Sequence, residues 1–184
     1  MLGTDWVLSN LGQYLESPAT EETGTTFAQN AVLKAVEASK LFPGWVLADD
    51  SGLSVDALNG APGVISARYA GPNASDFENR VKVLHDLQEF PEMHQRTAHF
   101  HCVMALAFGG DVKAMFQGLV EGHLLNEEQG SGGFGYDSLF VPAGEVDSFG
   151  VLPAEVKNSM SHRSRALAAF RQWVDLNASL IRGA

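Results

Sequence analysis

Residues 45–50, "WVLADD", place two adjacent carboxylates, Asp49 and Asp50, directly after an apolar run. Successive strand residues point to opposite faces, so one aspartate is expected to face a site while the other braces the loop beside it. Sites in open α/β sheets gather at the carboxyl ends of strands, and the expectation is a strand ending at this pair. Glu21 and Glu22 lie in a separate loop, "EETG". One glutamate and one aspartate from different loops can share Mg²⁺, which takes few carboxylates and completes its octahedron with water and phosphate oxygens. A plainer account also fits the pattern: Asp50 as a helix N-cap, and the glutamates as a solvated acidic loop.

Two further stretches carry chemistry. "KNSMSHRSR" sets Lys157, His162, Arg163 and Arg165 within nine residues, at the start of a helix. Helix N-termini bind anions through free N–H groups and the dipole, whereas clustered cations there are unfavourable. A bound phosphate chain would remove that conflict; a solvated basic patch is the plain alternative. "GSGGFGYD" combines glycines, which let backbone approach a ligand, with Phe134, Tyr136 and Asp137. An aromatic there could stack on a base, or the aromatics could belong to the core.

Other candidates fall away. His99 and His101 share a strand face, but no third ligand stands at a zinc-like spacing. Cys102 sits on an apolar strand face and reads as core. No G-x-x-x-x-G-K-[ST] occurs, which excludes a P-loop.

The elements that must position these residues follow from periodicity. "DWVLSN" reads as a short strand. "TFAQNAVLKAVEASKLFPG" reads as a helix with Thr26 as N-cap and a stop at Pro43 and Gly44. "SDFENRVKVLHDLQEF" gives a second helix with Phe77, Val81, Leu84 and Leu87 on one face. "TAHFHCVMALAF" alternates as a strand, with Phe100, Cys102, Met104, Leu106 and Phe108 on one side. "GGD" turns it into "VKAMFQGLVEGHLL", a long hairpin. "SHRSRALAAFRQWVDL" is the last helix, with Ala166, Leu167, Phe170, Trp173 and Val174 buried. This order predicts an α/β fold: an elongated mixed sheet flanked by helices.

Bulk properties bound the function. The chain has 184 residues, 45% of them apolar, and a net charge of −10. That charge disfavours nucleic acid as a partner but not a small anion held by locally concentrated cations. No apolar run is long enough for a membrane span, and the start shows no signal-peptide pattern. The lone Cys102 excludes an internal disulfide and fits a reducing compartment, so a cytoplasmic location is expected.

Taken together, "EETGTTFAQNAVLKA", "ADDSGLSVDALNGAPGVISARYAG", "RTAHFHCVMAL", "EGHLL", "GSGGFGYDSLF" and "EVKNSMSHRSRAL" resemble the inosine triphosphate pyrophosphatases, in family order, from about residue 21 to 170. The resemblance implies a single domain over residues 1–184, with a long twisted central mixed sheet, two lobes and a cleft between them. It implies a homodimer that hydrolyses ITP, dITP and XTP to the monophosphate and pyrophosphate with Mg²⁺, cleansing the nucleotide pool. It assigns Asp50 as proton acceptor and metal contact, and Glu21 as metal ligand. Lys34 falls near the phosphates, and Ser51 beside the base. Phe134, Gly135, Tyr136 and Asp137 match the segment holding the nucleobase. Lys157, His162 and Arg163 match substrate contacts, the last two reading the 6-keto group. Arg68 lies in the shared "SARYAG" block without a clear role.

The N-terminal stretch departs from the family. "VLSN" supplies the strand with Ser9 and Asn10 as phosphate-loop residues, but Gln13 stands where a lysine is expected, and only "SPAT" separates Glu16 from "EETG". Either the chain is shortened and its activity lost, or a segment between "LSN" and "LGQYLES" is missing from the sequence; the second is favoured. Gln29, where the family carries glutamate, removes either a metal-site carboxylate or a helix-surface charge. Two rivals to the enzyme reading therefore stand: a catalytically silent nucleotide binder on the same scaffold, and a pyrophosphatase for another modified nucleotide.

Overall fold

A computed structural model of the chain describes Ser9, Asn10, Gly12 and residues 20–182. The expected strand "DWVLSN", apart from Ser9 and Asn10, lies outside the described residues, as does Gln13. In chain order the main elements are α1 (Phe27–Leu41), β1 (Trp45–Val55), α2 (Asp76–Asp86), β2 (Thr97–Phe108), β3 (Asp111–Leu124), β4 (Phe140–Pro142), α3 (Ala154–Met160), α4 (His162–Leu176) and α5 (Ala178–Arg182). Short 3₁₀ turns fill the connections.

Helix α1 begins as its sequence predicts. Thr26 accepts from the Gln29 N–H, and the Gln29 side chain returns to the Thr26 N–H at 3.2 Å, closing a capping box. Gln29 therefore serves the helix start. Helix α2 begins with the same device, built from Ser75 and Glu78. Its expected face holds only in part: Leu87 is buried and Leu84 packs against the core. Asn79 and Val83 are buried, while Phe77 and Val81 are exposed. Asn79 wins the inner position because its carboxamide takes the Ala70 N–H and donates to the Ala67 carbonyl, tying down the loop before the helix.

The four strands form one sheet in the order β1-β2-β3-β4, antiparallel throughout. The described strands supply an antiparallel sheet; the expected strand "DWVLSN", on which a mixed sheet would depend, is not among them. Gly109 and Gly110, both at positive φ, turn β2 into β3, the geometry a two-residue hairpin demands. Strand β1 overturns a second expectation. It does not end at the aspartates but runs on to Val55, paired with β2 from Trp45↔Phe108 to Val55↔Ala98.

Both faces of the sheet are covered along its middle. On one face α1 packs Ala31 and Ala35 against Val103, Ala105 and Ala107 of β2. On the other, α4 packs Ala166, Phe170 and Val174 against Cys102, Met104, Leu106 and Phe116. The expected stripe on α4 is corrected at Leu167, which is exposed, and α5 follows as the last helix. A third cluster gathers Leu53, Val55, Phe100, Val120 and Leu124 with Tyr136, Leu139, Phe140 and Phe149 at the far end of the strands. Among the described residues no helix is long and apolar enough to cross a membrane.

Candidate active site

The register of β1 against β2 places Asp50 opposite Val103 and Asp49 opposite Met104. Asp50 therefore lies on the α1 face and Asp49 on the α4 face. Each gathers its own partners.

On the α1 face, Lys34 is the hub. Its Nζ lies 2.7 Å from Asp50 Oδ1 and 2.8 Å from Glu22 Oε1, and donates to the Asp49 carbonyl at 3.1 Å. Glu22 also pairs with Arg68 at 2.9 Å. Asn30, fully buried, donates to Asp50 Oδ2 at 3.3 Å and accepts the Gly24 N–H at 2.8 Å. It thereby joins the loop that carries Glu22 to the Asp50 carboxylate. Burial pushes the Asp50 carboxyl above the usual range, and the Glu22 charge adds to this, although Lys34 opposes it. For Glu22, burial acts upward, but Lys34 and Arg68 prevail and hold it below the ordinary value. Burial alone would lower Lys34; its bonds to Asp50 and Glu22 hold it above its ordinary value instead.

Glu22, not Glu21, is the glutamate that the fold brings to Asp50. The two stand side by side in the sequence; the Thr23 N–H donates to the Glu21 carbonyl at 3.0 Å, and Glu22 reaches Lys34 and Arg68. Asn30 was not foreseen at all. Its signal was a polar residue on the apolar stripe of α1, one turn before Lys34.

On the α4 face, Asp49 accepts from Ser51 at 2.9 Å and pairs with Arg163 at 3.4 Å. The Arg163 guanidinium lies 5.3 Å from the centre of the Phe134 ring, and Lys157 Nζ lies 4.7 Å from it. Phe134 is 60% exposed, so an apolar ring stands open between two cations. Lys157 also ion-pairs with Asp137, which in turn accepts the Phe134 N–H at 2.7 Å. Asp137 thus sets both the loop and the lysine.

His162 is buried, its ring stacked on Phe100 at 4.9 Å and 14°. Its Nδ1 has no hydrogen-bond partner among the described residues. Burial, helped by Arg163 and Lys157, lowers its pKa from 6.5 to about 3, so it is neutral. Helix α4 reaches this position because Gly118 of β3 has no Cβ; one built there would collide with the His162 carbonyl.

The glycine-rich loop is tied to α2. Gly135 donates to Asp76 at 2.7 Å, and its carbonyl accepts from Arg80 at 2.9 Å. Tyr136 departs from its expected role: it is 4% exposed, and its phenol donates to the Ser66 carbonyl at 2.8 Å. Its side chain belongs to the core. Ser9 and Asn10 are exposed, and Asn10 accepts the Gly12 N–H at 2.9 Å.

Among the described residues, no group of three or more His, Cys, Asp or Glu side chains is arranged to hold a metal. The hard-oxygen set around Lys34 is smaller: two carboxylates and one carbonyl converging on a single cationic atom. That set suits Mg²⁺, which keeps several waters and borrows phosphate oxygens.

The sequence pattern of the Ham1 family matches residues 1–173. The chain belongs to the Ham1 family. Its relatives include the dITP/XTP pyrophosphatase of Geobacter sulfurreducens, 45% identical over 92% of this chain and 84% of that protein. That of Geobacillus kaustophilus is 44% identical over 92% and 83%. Among solved structures, the Ham1 protein of Staphylococcus aureus superposes with a TM-score of 0.86 at 37% identity, over 93% of this chain and 88% of that one. The HAM1 protein of Coxiella burnetii gives 0.81 at 40%, over 90% and 89%. The Ham1 fold is therefore shown for this chain, with the described sheet as its antiparallel part.

Proposed function

We propose that this Ham1 protein is a Mg²⁺-dependent nucleoside triphosphate pyrophosphatase acting on dITP, ITP and XTP. The observation that carries the reading is the convergence of Asp50, Glu22 and Lys34, on the opposite side of β1 from an exposed aromatic ring flanked by Arg163 and Lys157. One end offers carboxylates and a cation to a triphosphate; the other offers a stacking surface and donors to a base. Relatives that carry the dITP/XTP pyrophosphatase name support the substrate class.

In this reading Glu22 and Asp50 would hold Mg²⁺, which would supply charge neutralisation for the phosphates. Asp50 accepts the proton of the attacking water. A positioned carboxylate in hydrogen-bond reach of the water is what that role requires. Water adds to the α-phosphorus in line, the bond to the β-phosphate oxygen breaks, and pyrophosphate leaves with the nucleoside monophosphate behind. Lys34 offsets the phosphate charge, and Lys157 stands at the base end beside Phe134. Catalysis of this kind is mostly positioning and charge stabilisation.

Base selection follows from hydrogen-bond polarity. A 6-keto oxygen accepts, whereas the 6-amino group of adenine donates. Arg163 can only donate. Adenine would leave that donor unpaired, which costs about 1–3 kcal/mol in a buried site. Phe134 would stack on the base, and Ser51 lies beside Arg163 through Asp49. A homodimer and a cytoplasmic setting complete the proposal; sedimentation of the purified chain tests the first.

The deciding experiment is pyrophosphate release with Mg²⁺ from dITP, XTP, dGTP and dATP. Release from dITP and XTP well above the other two is expected. Equal rates on all four, or no release, would sink the reading; binding of dITP without release would favour the silent binder.

A further inference from the structure

Glu22 and Asp50 come from different segments, and two carboxylates brought together repel unless a cation lies between them. Lys34 supplies that cation. Its Nζ is 2.8 Å from Glu22 Oε1, 2.7 Å from Asp50 Oδ1 and 3.1 Å from the Asp49 carbonyl. An ammonium has three donors, and each has an oxygen here. A hard divalent cation would use these same oxygens.

We propose that Lys34 is the resident counter-ion of the carboxylate pair: its ammonium competes with Mg²⁺ for Glu22 and Asp50, and a triphosphate draws it away, so that nucleotide binding tightens metal binding through this one side chain. The inference rests on the metal reading above and adds a coupling to it.

The surroundings decide which partner moves. Asp50 is 6% exposed and held by Asn30, so its carboxylate is fixed. The backbone of α1 is fixed too, because Ala31 and Ala35 are fully buried against β2. The Lys34 side chain is 26% exposed on a flexible four-carbon stem. Exchange therefore proceeds by rotation of Lys34 toward solvent, where the incoming phosphates offer new acceptors. Linkage makes the effect reciprocal: whatever draws Lys34 off the carboxylates strengthens metal, and metal strengthens nucleotide.

The test is Mn²⁺ binding to the full chain without nucleotide, read by the electron paramagnetic resonance of the free ion, for wild type, Lys34→Met, Glu22→Gln and Asp50→Asn. Lys34→Met is expected to bind Mn²⁺ at least about fivefold more tightly than wild type, the lower end of ordinary coupling. Glu22→Gln and Asp50→Asn are expected to bind it more weakly. Equal or weaker binding by Lys34→Met, with Glu22→Gln still weakened, overturns the competition and leaves the metal reading standing. Unchanged binding in both carboxylate variants overturns the metal reading and this proposal with it. A second measurement uses wild type alone: acylation of Lys34, mapped by mass spectrometry. Saturating Mg²⁺ is expected to speed the labelling of Lys34; an unchanged or slower rate counts against the exchange.

Discussion

Asp49 and Asp50 are consecutive in β1 yet serve opposite sides of the sheet: Asp49 pairs with Arg163 of α4 at 3.4 Å, and Asp50 with Lys34 of α1 at 2.7 Å. The pair is a through-sheet junction, with the two clusters of the site meeting at one peptide bond. Replacing each should therefore give different kinetics. Asp50→Asn is expected to lower kcat by about 10²–10⁴, the range for a lost general base. Asp49→Asn loses only a half-exposed ion pair worth about 0.2–1 kcal/mol, and should raise KM by no more than about fivefold with kcat nearly unchanged. Identical effects from both would contradict the division.

The two glutamates of the acidic loop separate the same way. Glu22 meets Lys34 and Arg68; Glu21 has no such contact among the described residues. Glu22→Gln should raise the Mg²⁺ concentration needed for half-maximal activity by roughly 10–100-fold, as for disturbed metal surroundings generally. Glu21→Gln should leave it unchanged. A larger effect at Glu21 would return the assignment to the sequence expectation.

Phe134 and Tyr136 stand two residues apart with different fates. Phe134→Ala removes an exposed ring whose stacking on a base would contribute about 1–3 kcal/mol, so KM for dITP should rise by roughly 5- to 150-fold, with the urea midpoint unmoved. Tyr136→Phe removes one buried hydrogen bond, costing about 1 kcal/mol of stability, and should leave KM alone. A stability loss at Phe134, or a KM effect at Tyr136, would reverse the two roles.

His162 predicts a pH signature. Its pKa falls from 6.5 in the unfolded chain to about 3 in the fold. Between those values the unfolded state binds the extra proton, so stability rises with pH there. The contribution is present above about 6.5 and drains away as the pH falls toward 3, at up to about 1.4 kcal/mol per pH unit. Urea midpoints of wild type minus those of His162→Gln, followed from pH 7 downward, should shrink steadily. A constant difference would mean that His162 is not held neutral by its burial.

How much of this was legible in the sequence varies with the physics behind each element. The ends of α1 were legible because Thr26 and Pro43–Gly44 act locally. The β2–β3 hairpin was legible because a Gly-Gly turn lies between alternating runs. The course of β1 was not. Asp49, Asp50 and Ser51 have poor strand propensity, and the pairing with β2 that carries the strand to Val55 is a long-range fact. The inner face of α2 was hidden for a related reason: Asn79 is buried by the loop it holds, and the loop is invisible to helical periodicity. Gln29 shows the converse. A departure that read as either a lost metal-site carboxylate or a lost helix-surface charge is the closing half of a capping box.

The contact between β3 and α4 at Gly118 leaves no room for a side chain. Gly118→Ala should cost about 1–3 kcal/mol or more, the range for overpacking. A wild-type urea midpoint in that variant would mean that α4 shifts freely.

The alanine seam between α1 and β2, made by Ala31, Ala35, Ala105 and Ala107, works as a spacer of fixed thickness. Lys34 and Asn30 ride on the helix side of that spacer, and Asp50 on the sheet side. Any larger residue in the seam would lift both reagents off the carboxylate together, although the seam residues carry no polar side-chain atom. Chemical variety in this site is thus gated by the bulk of four methyl groups. An engineer seeking graded loss of turnover, without altering a single reacting group, would vary the seam.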